Sequence, residues 1–330
     1  MKVWKVIFLV FLVIASVLII ANEQPYHNDK GVIFGTYYNI SYKHKDNLRN
    51  TIEKRLLTVD NSLSPFNKKS IISAVNNNAD INVDSLFTQV FMLAQEISEK
   101  TDGAFDITVA PLVNAWGFGF RKGVDVDSIM VDSMLQYIGY NKVALIDGKV
   151  KKQYPETMLD CSAIAKGFAC DCVALLFDSL GIENYMVEIG GEVVAKGKNE
   201  KSKLWSIGIN KPTDDKSGSH SELQEILRIS GKSLATSGNY RNYRYENGRK
   251  VAHTIDPRSG YPIQHSLLSA TVIADNCATA DAYATAFMVL GLEDAVEICN
   301  ANNIEGYFIY SDDNGDLQVA ETEGFKKFHN

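Results

Sequence analysis

Asp281 and Thr285 stand four residues apart in the run Ala278-Thr279-Ala280-Asp281-Ala282-Tyr283-Ala284-Thr285. On a helix that spacing stacks a carboxylate and a hydroxyl on one face. The pair suits a hard cation such as Mg²⁺, which takes few protein oxygens and completes its shell with water and phosphate. It also describes a plain polar stripe on a half-exposed helix. A second stretch opens on the polar turn Leu159-Asp160-Cys161-Ser162-Ala163 and enters an apolar run at helical spacing, Ile164, Phe168, Val173, Leu176 and Leu180, closed by Gly181. Free N–H groups at a helix entrance favour an anion, and small residues let it come close. Lys166 lies one turn inside, where its ammonium group would meet a phosphate at that entrance. An ordinary capped helix with an exposed lysine has the same appearance. His253 precedes Asp256-Pro257 and Gly260 at a strand end; it reads as a general base or as a hydrogen-bonded turn residue. The small-residue turn Ala235-Thr236-Ser237-Gly238 admits a ligand or is simply a tight bend.

These residues need elements to position them. Gly31 to Tyr42 reads as a first strand. Asp46 caps a helix from Asn47 to about Leu63, ended by Ser64-Pro65, and a second helix runs from about Val83 to Thr101. Gly103 to Gly119 packs aromatics among glycines after a Pro-led half-helix, a loop suited to lie against something planar or simply to connect. Hairpins are predicted at Val143–Gln153 across Asp147-Gly148, at Asn184–Lys198 around Gly190-Gly191, and from Tyr240 to Ile255 across Asn247-Gly248. Trp205–Asn210, Glu225–Ile229 and Ser233–Ser237 continue the strand series, with Thr213–Glu222 a flexible surface loop. Helices at Ala278–Leu290 and Leu292–Ala301 precede strands at Gly306–Tyr310 and Leu317–Ala320. Helices and strands interleave without a regular βαβ period, so the class is mixed α/β with largely antiparallel sheets.

The 330 residues suffice for one large domain or two smaller ones. A net charge of −7 and no basic run argue against a nucleic-acid surface. Met1-Lys2-Val3-Trp4-Lys5, the apolar run Val6–Ala21 and the polar Asn22-Glu23-Gln24-Pro25 describe residues 1–22 as an export signal or N-terminal anchor, with 23–330 as the working domain. The apolar run is shorter than the ~20 residues of a comfortable span. Residues beyond it are expected outside the cytoplasm. The five cysteines are odd in number and sit in apolar, helix-like surroundings, so they read as small buried side chains rather than a disulfide framework. No phosphate-cradling Gly-x-x-x-x-Gly-Lys loop, Gly-x-Ser-x-Gly elbow or His-Glu-x-x-His zinc spacing occurs.

Taken together, the blocks resemble the ApbE family of FAD:protein FMN transferases. They are Gly35-Thr36-Tyr37, Leu63-Ser64-Pro65-Phe66 with Asn76, Gly103 to Gly119, Ala163-Ile164-Ala165-Lys166-Gly167, Glu188-Ile189-Gly190-Gly191-Glu192, Thr236-Ser237-Gly238 with Tyr240, His253 with Asp256-Pro257 and Gly260, and Ala280-Asp281-Ala282 with Thr285. The resemblance implies a T-fold-like α/β architecture and an exported, Mg²⁺-dependent enzyme. Such an enzyme moves the FMN half of FAD onto a threonine or serine hydroxyl of a partner protein and releases AMP. The implied partner is a flavin-carrying subunit of a membrane redox pump or an extracytoplasmic electron carrier, at the periplasm or outer face of the inner membrane. By position, the backbone oxygen of Ala163 and the side chains of Asp281 and Thr285 would hold the metal. FAD would contact Phe34, Phe66, Ala115, Trp116, Gly117, Asp160, Lys166 and Ile255. His253 would accept the acceptor hydroxyl's proton, oriented by Asp256. Phe34 stands where methionine is common in the family, and Phe66 where tyrosine is frequent. Two other activities use the same residues: a metal-dependent FAD pyrophosphatase, with water in place of the hydroxyl, and a non-enzymatic exported flavin-binding protein.

Overall fold

The computed structural model describes residues 24–212, 222–239, 243–246 and 249–330, together with 3, 4, 7, 8 and 11; for 243–246 and 249–251 it describes the backbone alone. The chain begins with β1 (Tyr26–Ile33), β2 (Thr36–Lys43), α1 (Arg49–Leu63), α2 (Ile71–Asn76), α3 (Ser85–Lys100), α4 (Ala110–Ala115) and α5 (Ser128–Leu135). Then come β3 (Val143–Ile146), β4 (Lys149–Lys152), α6 (Ala165–Ser179), β5 (Tyr185–Ile189), β6 (Glu192–Lys196), β7 (Trp205–Asn210), β8 (Leu223–Ile229) and β9 (Lys232–Gly238). It ends with β10 (Tyr243–Glu246), β11 (Arg249–Ala252), β12 (Leu267–Ala274), α7 (Cys277–Leu290), α8 (Leu292–Asn302), β13 (Glu305–Ser311) and β14 (Leu317–Glu321).

Eight strands form one antiparallel sheet in the order β1-β2-β5-β6-β9-β12-β13-β14, while β3–β4, β7–β8 and β10–β11 are separate two-stranded ribbons. Side chains alternate between the two faces of a strand, and here both faces are covered. Val187, Ala235, Val272 and Phe308 point to the face where α1, α3, α6 and α7 bury their apolar sides. Val193, Leu234, Ile273 and Ile309 point to the other, where they meet Trp205, Ile207 and Leu227 of β7–β8 and Phe325 and Phe328 near the C-terminus. A third cluster, Leu112, Trp116, Val131, Ile138 and Ile255, ties α4 and α5 to the loop that follows β11.

The mixed, largely antiparallel α/β class holds, with four differences in the elements. The expected first strand is a hairpin: Ile33 pairs with Thr36 across Phe34-Gly35, both at positive φ. The first helix starts at Arg49 rather than Asn47, and Asp46 does not cap it. The short helices α2 and α5 arise from runs too brief to show a period. β12, at the sheet's centre, reads Leu-Leu-Ser-Ala-Thr-Val-Ile-Ala; buried on both faces, it lacks the alternation that marks a half-exposed strand. β7 and β8 are strands as expected, paired with each other and packed over the main sheet. All five cysteines are buried and free. Residues 213–221, Tyr240, Asn247-Gly248 and most of the N-terminal segment 1–22 lie outside the described residues. Among the described residues no helix is long and apolar enough to cross a membrane.

Candidate active site

One cavity of about 980 Å³ opens where the helix entrances meet the sheet, at the upper end of the ~300–1,000 Å³ usual for ligand pockets. Phe34, Phe66, Asp160, Ala163, Lys166, His253, Ile255, Asp281 and Thr285 all line it. Ala115, Trp116 and Gly117 do not; the same block contributes Val109, Val113 and Phe118. Trp116 stands one layer back, its indole N–H donating to the Gly260 carbonyl at 2.9 Å and so tying α4 to the loop that carries Ile255.

The floor is made by α6 and α7. Gly167 is the third residue of α6, so its N–H is one of those a helix start leaves without a helical partner. It donates to Asp281 Oδ2 on α7, at 3.0 Å. Ala163, just ahead of the helix, lines the cavity beside the residue expected to share a cation with it. Thr285 follows one turn after Asp281, its hydroxyl 3.2 Å from that of Ser237 at the end of β9. A carboxylate and a hydroxyl, with the carbonyl of Ala163 on the same cavity, are hard oxygens that fit Mg²⁺, which is commonly held by one or two carboxylates with substrate phosphate completing the shell.

Lys166 is not a lone cation. Its Nζ is 2.6 Å from Glu192 Oε1 and 3.5 Å from Asp281 Oδ1, both carboxylates being buried. Burial opposes the charge on Lys166, but Asp281 and Glu192 outweigh it and hold its pKa above the ordinary lysine value. With both acids ionised the trio carries one net negative charge. Among the described residues Glu192 Oε2 has no hydrogen-bond partner. Burial pushes the Glu192 carboxyl up to about 7, Lys166 pulling against it and Asp281 adding to it. A cation and a diphosphate brought in together would meet an acid in excess and a lysine already poised. Glu192 was visible in sequence only as the last residue of a Gly-Gly turn. Its meeting with Lys166 depends on β6 lying under the α6 entrance, which no local pattern shows.

The remaining walls are held by backbone. The Asn76 side chain donates to the Leu159 carbonyl at 2.8 Å and accepts from the Leu159 N–H at 2.7 Å, clamping the segment ahead of Asp160. Asp160 Oδ1 then accepts from the Ser162 N–H at 2.8 Å. Burial raises the Asp160 pKa while these Ser162 donors lower it. Phe34 enters from the β1–β2 turn at φ 53°, a conformation that asparagine or glycine adopts more readily than an aromatic residue. Across the mouth, His253 lies edge-on to Phe118 with ring centres 6.3 Å apart. Asp256, expected to orient His253, accepts instead from the Arg258 backbone N–H at 2.9 Å and from its guanidinium Nε at 3.0 Å.

An eight-stranded antiparallel sheet, covered on both faces and opening on a large cavity floored by two acids, a lysine and a hydroxyl, defines an α/β protein with a polar-floored ligand cavity. The chain belongs to the ApbE family, whose family model matches residues 34–308. The FAD:protein FMN transferase of Haemophilus influenzae is 37% identical over 90% of this chain and 90% of its own. That of Vibrio cholerae is 36% identical over 96% of this chain and 97% of its own. The solved structure of the flavin transferase ApbE from Vibrio cholerae superposes with a TM-score of 0.83 at 34% identity, covering 92% of this chain and 99% of that one.

Proposed function

We propose that this chain transfers the FMN half of FAD to a threonine or serine hydroxyl of an acceptor protein, with Mg²⁺, releasing AMP. The observation that carries this reading is that Ala163, Asp281 and Thr285 line one cavity, with Asp281 fixed by the Gly167 N–H at the α6 entrance. The Ala163 carbonyl and the side chains of Asp281 and Thr285 would hold Mg²⁺, which would supply charge neutralisation at the diphosphate. Lys166 holds phosphate oxygens from the α6 entrance, and the Ala163–Lys166 segment presents backbone to them. Phe34, Phe66, Phe118 and Ile255 provide an apolar wall for the ring systems. The acceptor hydroxyl oxygen attacks the FMN phosphorus, its proton passes to His253, and the bond from that phosphorus to the AMP phosphate oxygen breaks. AMP departs with that electron pair. Little covalent chemistry is asked of the protein; positioning and charge do the catalysis.

The acceptor is proposed to be a flavin-carrying subunit of a membrane redox pump or a related extracytoplasmic carrier. The reading places the enzyme in the periplasm or at the outer face of the inner membrane, behind the basic and apolar segment 1–22. The test incubates the purified protein with FAD, Mg²⁺ and a candidate acceptor domain. A covalent FMN adduct seen by mass, lost in Asp281→Ala, supports transfer. Free FMN and AMP without an adduct would establish a pyrophosphatase, and unchanged, tightly held FAD a flavin-binding protein. Full transfer by His253→Ala would remove His253 as the base.

A further inference from the structure

We infer that Asp171, which does not line the cavity, is a positioning residue for the cation-binding face of α7; this rests on the Mg²⁺ site proposed above. The first four N–H groups of a helix lack partners within it. In α7 three of them have partners of another kind. The Thr279 N–H is taken by the Asn276 side chain at 2.9 Å, and the helical ladder begins with the Ala280 N–H on the Asn276 carbonyl at 3.3 Å. The N–H groups of Cys277 and Ala278 donate to the two oxygens of Asp171, each at 2.8 Å. Asp171 belongs to α6, one turn beyond Gly167, so the two residues share a face of that helix.

The exchange runs both ways. Asp171 of α6 caps the start of α7, and Asp281 of α7 takes the Gly167 N–H at the start of α6. Each helix lends a carboxylate to the other's open end. Between the two bonds the backbones nearly touch, because a Cβ on Gly167 would lie 2.6 Å from the Cys277 carbonyl carbon. The clasp leaves α7 little freedom to rotate or slide along α6. Rotation is what would turn Asp281 Oδ1 and the Thr285 hydroxyl away from the Ala163 carbonyl. Asp171 itself is half-buried, and burial pushes its carboxyl up to about 6 against the pull of the two N–H groups. An acid with both oxygens committed to backbone N–H groups holds position.

The experiment measures Mn²⁺ and FAD binding separately, by calorimetry on the full chain, for wild type, Asp171→Asn and Asp171→Ala, with melting temperatures recorded alongside. Asp171→Asn keeps the volume and one acceptor oxygen but turns an NH₂ towards an N–H. Loss of groups that orient metal ligands typically costs roughly 10–100-fold in metal affinity. The expected result is Mn²⁺ affinity about tenfold weaker in Asp171→Asn and weaker again in Asp171→Ala, with FAD affinity measured without metal unchanged. Asp171→Glu, which restores two acceptor oxygens, should recover part of the loss. Wild-type Mn²⁺ affinity in Asp171→Asn would overturn the inference, whatever happens to the melting temperature. If Asp171→Ala does not fold, Asp171→Asn and Asp171→Glu decide alone. No Mn²⁺ binding by the wild type would instead remove the cation site on which the inference rests.

Discussion

Gly167→Ala sets two effects of opposite sign against each other. Alanine in place of glycine in a helix is worth up to ~1 kcal/mol of added stability when nothing obstructs it. Here the new methyl would lie 2.6 Å from the Cys277 carbonyl carbon and 2.9 Å from the Ala278 nitrogen, both backbone atoms with no rotamer to yield. Ordinary contact begins at 3.4 Å, so the start of α7 must retreat by more than 0.8 Å (3.4 less 2.6), because the Cys277 carbonyl oxygen lies closer still. Overpacking of this kind costs typically 1–3 kcal/mol, which outweighs the propensity gain, and the net expectation is a loss of ~1–2 kcal/mol. The same movement stretches the 3.0 Å bond from Gly167 N–H to Asp281 beyond hydrogen-bond length. Displacements near 1 Å at a reacting centre are worth about 100-fold in rate. The assays are thermal unfolding and the initial rate of FMN adduct formation. Gly181→Ala is the control. Gly181 has φ 71° and open space around its missing Cβ, so it should lose ~1 kcal/mol from backbone strain with transfer intact. A Gly167→Ala protein as stable and as active as wild type would show that α7 does not rest on α6 as described.

Lys166→Met should destabilise the fold by roughly 3–5 kcal/mol, the cost of stranding buried partners, because Glu192 Oε1 loses its 2.6 Å contact; adding Glu192→Gln should return part of it, read from denaturant midpoints. In the same variant Mn²⁺ should bind at least as tightly while FAD binds more weakly, as the site has lost a positive charge. Trp116→Phe removes the bond to Gly260, worth ~1 kcal/mol, and should raise KM for FAD more than it lowers kcat, because only the support of Ile255 is loosened. His329 has its pKa raised above the ordinary 6.5, chiefly by its hydrogen bond to Glu321, with Glu225 adding to it. Its contribution to stability is therefore complete below 6.5 and fades as pH rises through the higher folded value. His329→Gln should flatten the stability–pH curve in that window, and an unchanged curve would place the titrating group elsewhere.

What could be read from the chain divides by how local its cause is. The Asp281/Thr285 pair was legible because four residues on a helix fix a shared face without reference to anything else. So were the β3–β4 and β5–β6 hairpins, whose turns announce themselves through Asp147-Gly148 and Gly190-Gly191. The hairpin at Phe34-Gly35 was hidden by its own chemistry. An aromatic residue occupies a position where asparagine or glycine would have signalled a turn, and the run therefore reads as one strand. A bulky residue in the left-handed region is costly to fold, by about 1–2 kcal/mol, and this one points its ring into the cavity wall. The strain falls where a ligand would be met, the usual place for it.

Glu192 and Asp171 show the other limit. Each owes its role to a neighbour distant in sequence: Lys166 lies 26 residues before Glu192, and Cys277 lies 106 after Asp171. Local patterns register neither. Yet these two acids govern what the legible residues can do. Without Glu192, the Lys166 ammonium would have only Asp281 as a partner, 3.5 Å away, and would compete with a cation for its free oxygen. With Glu192 holding Lys166 at 2.6 Å, the lysine stands further from Asp281 Oδ1, at 3.5 Å, while Oδ2 remains bound to Gly167. In the proposed cation site Asp281 would thus have one structural oxygen and one for the cation, a division made by a second carboxylate.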